Sequence, residues 1–135
     1  MLKVSELKEG DILKVLDEGI DREGVVVDIS RDENMALVDN GVQEFWYPME
    51  QLTPIPVTEE RLINLLGFEK EDTPDGTKYK KGPFRVLIHD PGNNTNVDVW
   101  YREDKRHFHN ALYIHHLQNL HLQMTKVPLE RVETA

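Results

Sequence analysis

Four short apolar runs, each closed by turn-forming residues, fill positions 12–47 and leave no room there for a helix of ordinary length. They are Ile12 to Leu16, Val25 to Ile29, Met35 to Val38 and Val42 to Tyr47. Between them lie the Asp-, Glu- and Gly-rich stretch Asp17 to Gly24, the cluster Arg31 to Asn34, and Asn40-Gly41. β-Branched and aromatic side chains fit a pleated, half-buried surface, so the runs read as strands. Asn40-Gly41 predicts a type I′ hairpin, because both central residues of that turn need positive φ. Upstream, Val4 to Leu7 leads into a turn at Lys8 to Asp11, and Pro48 closes the last run. Strands this short and tightly linked predict a small SH3-like β-barrel or strongly curved sheet over residues 1–57.

The pattern then changes. Thr53-Pro54-Ile55-Pro56-Val57 is an extended connector, since each proline disfavours helix at the residue before it. Thr58 predicts an N-cap, with Glu59 and Glu60 at the positive end of the helix dipole. Leu62, Ile63, Leu65 and Leu66 supply the apolar face of a short helix. Gly67 then stands where a left-handed cap belongs, with Phe68 as its apolar partner. Glu69 to Gly76 reads as an acidic loop and Lys78 to Lys80 as a short strand. Phe84 to His89 and Val97 to Tyr101 read as a hairpin around a turn at Pro91 to Asn94. A second helix is expected from Asn110 to Thr125, with Tyr113, Leu117, Leu120 and Met124 as its core stripe. Pro128 ends it, and the last five residues are expected to be loose. The fold class is therefore α+β: a β-unit at 1–57, then a helix–hairpin–helix unit at 58–135, completing one shared core.

Composition removes several functions. No run approaches the ~18 apolar residues of a membrane span, and the opening Met1 to Asp11 holds no apolar h-region, so no secretory leader is expected. With no cysteine there is no disulfide, thiolate metal site or cysteine nucleophile, and a cytoplasmic setting is expected. A formal charge of −9 opposes duplex nucleic-acid binding, which needs an excess of Lys and Arg. The charge is uneven. Residues 1–77 carry 7 Lys/Arg against 19 Asp/Glu, whereas residues 78–106 carry 7 against 4. A basic middle can meet an anionic ligand, because salt screens beyond ~8–10 Å. It can equally pair with the acidic half.

Catalytic signatures are missing. There is no G-x-S-x-G elbow, no Walker loop and no G-x-G-x-x-G, and the serines are Ser5 and Ser30 alone. The six histidines (His89, His107, His109, His115, His116, His121) include no i, i+4 pair, so neither a metal nor another cofactor is implied. His107 and His109 would share a strand face if their segment were extended, which leaves a composite site and metal-assisted hydrolysis as a third reading. On the last helix, His115, Gln118, Asn119 and Leu122 fall on one ridge. These polar groups either clamp the helix to neighbouring loops or meet a bound ligand. In the second case Trp100 and Tyr101 would stack on a base, and Arg85, Arg102, Lys105 or Arg106 would hold phosphate.

Two segments carry a resemblance. Leu52-Thr53-Pro54-Ile55-Pro56-Val57-Thr58-Glu59-Glu60, with Leu65-Leu66-Gly67-Phe68 behind it, is similar to a motif in small proteins of phages and prophages from Bacteroides-like bacteria. Tyr113-Ile114-His115-His116-Leu117-Gln118-Asn119-Leu120 resembles the same proteins' YVHQLQNLY signature. The chain departs from it at His116, where Gln is usual, at His121, where Tyr is usual, and at Lys126. The resemblance implies an accessory gene on a mobile element, acting in the host cell by binding a defence protein or a nucleotide messenger. Two expectations follow. One is a non-catalytic, homo-oligomeric sponge for a nucleotide-like anion. The other is an interaction module that grips a host protein through the acidic N-terminal half.

Overall fold

The computed structural model describes residues 2–90 and 93–132, so Pro91 and Gly92 of the expected turn lie outside the described residues. The chain divides into two compact units, Met1–Ile55 and Pro56–Ala135. Both are dominated by antiparallel sheet, and one α-helix lies near the C-terminus.

In the first unit a 3₁₀ turn at Val4–Glu6 precedes β1 (Ile12–Asp17), β2 (Ile20–Ser30), β3 (Met35–Asp39), β4 (Glu44–Pro48) and the two-residue β5 (Leu52–Thr53). The sheet order is β4-β3-β2-β1-β5, so the meander returns through a 3₁₀ turn at Met49–Gln51 to pair β5 with β1. A register shift between Val26 and Asp28 marks a bulge, which bends and twists the long β2. One face of the sheet buries Leu13, Val15, Val26, Ala36, Val38 and Tyr47, joined by Leu2, Leu7, Met49 and Leu52.

The two-residue hairpin lies elsewhere than expected. Asp17 pairs with Ile20, and the turn residues Glu18 and Gly19 both take positive φ, at 50° and 79°. That is the type I′ pattern. At Asn40-Gly41 only the glycine is left-handed (φ 92°). There the Asn40 side chain accepts from the amides of Val42 and Gln43 at 3.0 and 3.1 Å and donates to the Tyr47 hydroxyl at 2.9 Å. The asparagine serves its own loop and the core instead of a tight turn.

The second unit begins with the short helical segment. Thr58 Oγ1 accepts from the Arg61 amide at 3.3 Å, as its capping role requires. Residues Arg61–Leu65 are wound as a π-helix, with the Leu66 amide bonded to the Arg61 carbonyl. Gly67 is left-handed (φ 77°), and the closing Phe68 N–H reaches the Leu62 carbonyl at 2.8 Å, one residue wider than a Schellman cap. The Leu66 carbonyl takes the Lys81 ammonium at 2.7 Å.

A five-stranded sheet follows: β6 (Glu69–Thr73), β7 (Gly76–Lys81), β8 (Phe84–Asp90), β9 (Asn93–Tyr101) and β10 (Asp104–Phe108), in the order β10-β9-β8-β7-β6. One expectation is corrected here. The acidic loop is the edge strand β6, which its charges do not prevent: Lys70 pairs with Glu59 at 2.6 Å, and Lys78 with Glu71 at 3.4 Å. A charged edge also discourages pairing with other chains.

The last helix, α1, runs Ile114–Thr125 and not from Asn110. Residues upstream are drawn into extended pairing: β10 runs back along β9, Val57 N–H bonds to the Leu112 carbonyl at 3.0 Å, and Tyr113 bridges to Pro56. Ile114, His115, Leu117, Gln118, Leu120 and His121 are buried, so Leu117 and Leu120 of the expected stripe lie inside, whereas Tyr113 becomes the N-cap residue and Met124 is half-buried. Beyond the helix Leu129 is buried; of the last five residues, expected to be loose, Val132 is held by its N–H on the Leu65 carbonyl at 2.9 Å, and residues 133–135 lie outside the described residues. No helix among the described residues is long and apolar enough to cross a membrane.

Candidate functional site

The second sheet has two unlike faces, set by strand alternation. Phe84, Val86 and Ile88 on β8 and Val97 and Val99 on β9 are buried on one face. Helix α1 lies on that side, with the His121 ring 4.7 Å from the Phe84 ring and edge-on to it. Arg85, Leu87, Asp98, Trp100, Lys105 and His107 alternate with those positions and belong to the outer face.

Two cross-strand rows organise the outer face. In the first, Trp100 faces Arg85 on β8 and Lys105 on β10. The Lys105 ammonium lies 5.6 Å from the centre of the indole. In the second, Asp98 faces Leu87 on one side and His107 on the other. His89, two residues beyond Leu87 on β8 and so on the same face, reaches the same carboxylate diagonally. His107 Nδ1 bonds to Asp98 Oδ1, and His89 Nε2 to Asp98 Oδ2 at 2.9 Å, while Lys105 Nζ stands 3.5 Å from Oδ2. The His109 ring packs edge-on against His107, at 4.4 Å between centres.

The Asp98 side chain is only 7 % exposed, whereas those of His89 and His107 are 28 % and 36 % exposed. Burial alone would raise the Asp98 pKa. The hydrogen bonds from His107 and His89 and the charge of Lys105 outweigh it and hold the group below its ordinary value. The result is a buried, ionised carboxylate flanked by two more exposed imidazoles.

The residues singled out from sequence are divided by the sheet. Arg85 and Trp100 share the outer face. Tyr101 pairs with Phe84 and Asp104, so it belongs to the opposite face, and Arg106 sits opposite Val99 with its guanidinium 3.2 Å from Asp104. Arg102 occupies the β9–β10 turn with φ 56°, its guanidinium 5.1 Å from the Tyr101 ring centre. His115, Gln118 and Asn119 lie on α1, on the far side of the sheet from Trp100. His115 and Gln118 are buried and Asn119 half-buried, and Gln118 Nε2 donates to the Leu129 carbonyl at 2.9 Å. That bond clamps helix to tail. His121, where the resembling proteins carry Tyr, bonds through Nδ1 to the Val127 carbonyl at 2.7 Å, and burial lowers its pKa.

The sequence reading does not bring Asp98 and His89 together with His107. The signal lay in hairpin arithmetic. A two-residue turn at Arg102-Glu103 pairs 101 with 104 and therefore 98 with 107. Compared with known proteins, the chain matches no family model, no curated protein and no solved structure.

Proposed function

We propose that this chain is a non-catalytic binding protein of a phage or mobile element, which sequesters an anionic, nucleotide-like signalling molecule on the outer face of its second sheet. The observation that carries the reading is the row Arg85–Trp100–Lys105, in which two cations flank a half-buried indole. A base stacks on an aromatic face without regard to its hydrogen-bonding edges, and adjacent cations take the phosphate. Lys78 and Lys80, opposite Leu87 and Arg85 on β7, extend the positive field. Such a face is shallow, and a second copy related by two-fold symmetry would close it over the ligand, which favours a homo-oligomer. The first unit acts as an SH3-like scaffold, a reading supported by the return of β5 to β1 after the 3₁₀ turn.

The test is a thermal-shift panel of mononucleotides, cyclic nucleotides and cyclic dinucleotides. A ligand at a hundredfold its Kd adds about 2.7 kcal/mol. Trp100→Ala should weaken binding roughly 5- to 150-fold, the loss of one stacked base at ~1–3 kcal/mol. A flat panel ends the proposal.

A second reading has its own observation. Three acids, Asp28, Asp32 and Glu33, outnumber the single cation Arg31 along a groove of about 720 Å³ on the first unit that Met35 and Trp46 also line, and Trp46 is 44 % exposed. An acidic groove with an exposed indole suits a Lys- or Arg-rich segment of a host protein, through ion pairing and cation–π contact. Partner capture that weakens steeply with salt and is lost on Trp46→Ala would favour it over the nucleotide reading.

A further inference from the structure

We propose that His89, Asp98 and His107 form a binding site for one divalent transition-metal ion of the zinc class, on the outer face of the second sheet. One ligand atom from each of the three residues can be chosen so that all lie within 4.8 Å of one another. Metal–ligand bonds of ~2.0–2.1 Å at tetrahedral or octahedral angles place neighbouring donor atoms about 2.9–3.4 Å apart. The His89–Asp98 separation of 2.9 Å already equals one edge of such a polyhedron. The hydrogen-bonded arrangement and the metal-bound one therefore differ by small side-chain adjustments.

The donor set selects the ion. Two imidazoles and one carboxylate suit zinc, cobalt, nickel or ferrous iron, while magnesium and calcium prefer oxygen throughout. Three protein ligands leave coordination positions open. These face solvent, because the imidazoles are the exposed members and the carboxylate is the buried one. Backbone pairing fixes Asp98 opposite His107 on adjacent strands, so two of the three ligands are positioned by the sheet itself. Lys105 at 3.5 Å from Asp98 Oδ2 is the competitor: its ammonium occupies one of the oxygens the ion would use. It is 61 % exposed and free to swing into solvent.

The inference does not rest on the nucleotide reading, and its test uses no nucleotide. The full chain is stripped with chelator and titrated with Zn²⁺ by calorimetry and with Co²⁺ by visible absorption. One equivalent per chain is expected, with cobalt bands of a low-coordinate site. Changing a supporting residue around a metal costs ~10–100-fold in affinity, so loss of a ligand in His89→Ala or His107→Ala should weaken binding at least tenfold. Lys105→Met should strengthen it roughly 5- to 30-fold, by removing a like charge within a few ångströms of the ion. His107→Gln keeps a polar side chain on the edge strand. Loss of binding there, with the melting temperature unchanged, supports the site even if the alanine variant is unstable. Absence of the equivalent, full binding by His107→Gln, or no gain in Lys105→Met overturns the proposal.

Discussion

The Lys105 ammonium stands 3.5 Å from the Asp98 carboxylate and also rides over the neighbouring indole, so one exposed side chain links the two rows of the outer face. Its charge is shared between an aromatic surface and a buried acid. An anion bound on the proposed nucleotide row would therefore compete with Asp98 for the same ammonium.

That sharing predicts a small effect on folding. Lys105 is largely exposed, and pairs of that kind contribute about 0–1 kcal/mol. Lys105→Met should shift stability by less than ~1 kcal/mol in urea denaturation. Asp98→Asn, which replaces a buried acceptor of two imidazoles, should cost about 1–3 kcal/mol.

The first unit carries a pH dependence of its own. Asp11 is 2 % exposed, and burial pushes its pKa up to about 7, opposed by the Lys8 amide that donates to it at 2.9 Å. A carboxyl group whose folded pKa exceeds its unfolded value favours the folded state most at low pH. Below about pH 4 it is protonated in both states and imposes no penalty. The penalty grows as pH rises to about 7 and is constant above. Asp11→Asn should therefore match the parent near pH 4 and exceed it by roughly 1–3 kcal/mol at pH 8, judged by the buried-group cost. Equal stabilities at both pH values would contradict this account.

Glu18 supplies a backbone prediction. It holds φ at 50° in the β1–β2 turn, a conformation that Asn and Gly adopt at lower cost. Glu18→Asn should stabilise the chain by about 0.5–1 kcal/mol in equilibrium denaturation, with no change in the amide pattern of the hairpin.

Gln118→Ala tests the clamp between α1 and the tail. Its loss leaves the buried Leu129 carbonyl without the Nε2 donor, at a cost of about 1–3 kcal/mol. Hydrogen exchange should then quicken at the Val132 amide, which is held by the Leu65 carbonyl.

The first four strands were legible because alternation and turn residues are local properties. Ile12 to Leu16 and Met35 to Val38 keep their reading within a residue of β1 and β3. Gly67 took its left-handed cap for the same reason, since only backbone freedom within one turn is involved. Elsewhere partners decided. Glu69 to Thr73 has no strand pattern in isolation, yet β7 offers it a backbone ladder and cations for its acids. Residues 110–113 carry a helical apolar spacing, yet Pro56 and Val57 hold Leu112 and Tyr113 extended and delay the helix. The candidate metal site was the least visible. Asp98 meets His107 directly across one strand pair and His89 diagonally across the other, and both are settled by non-local pairing. The sequence by itself determined the strand-and-turn alternation of the first unit and the presence of a C-terminal helix, because these follow from side-chain period and backbone preference. Only the tertiary structure decided which polar residues share a face, because a one-residue change of register turns every side chain to the other side.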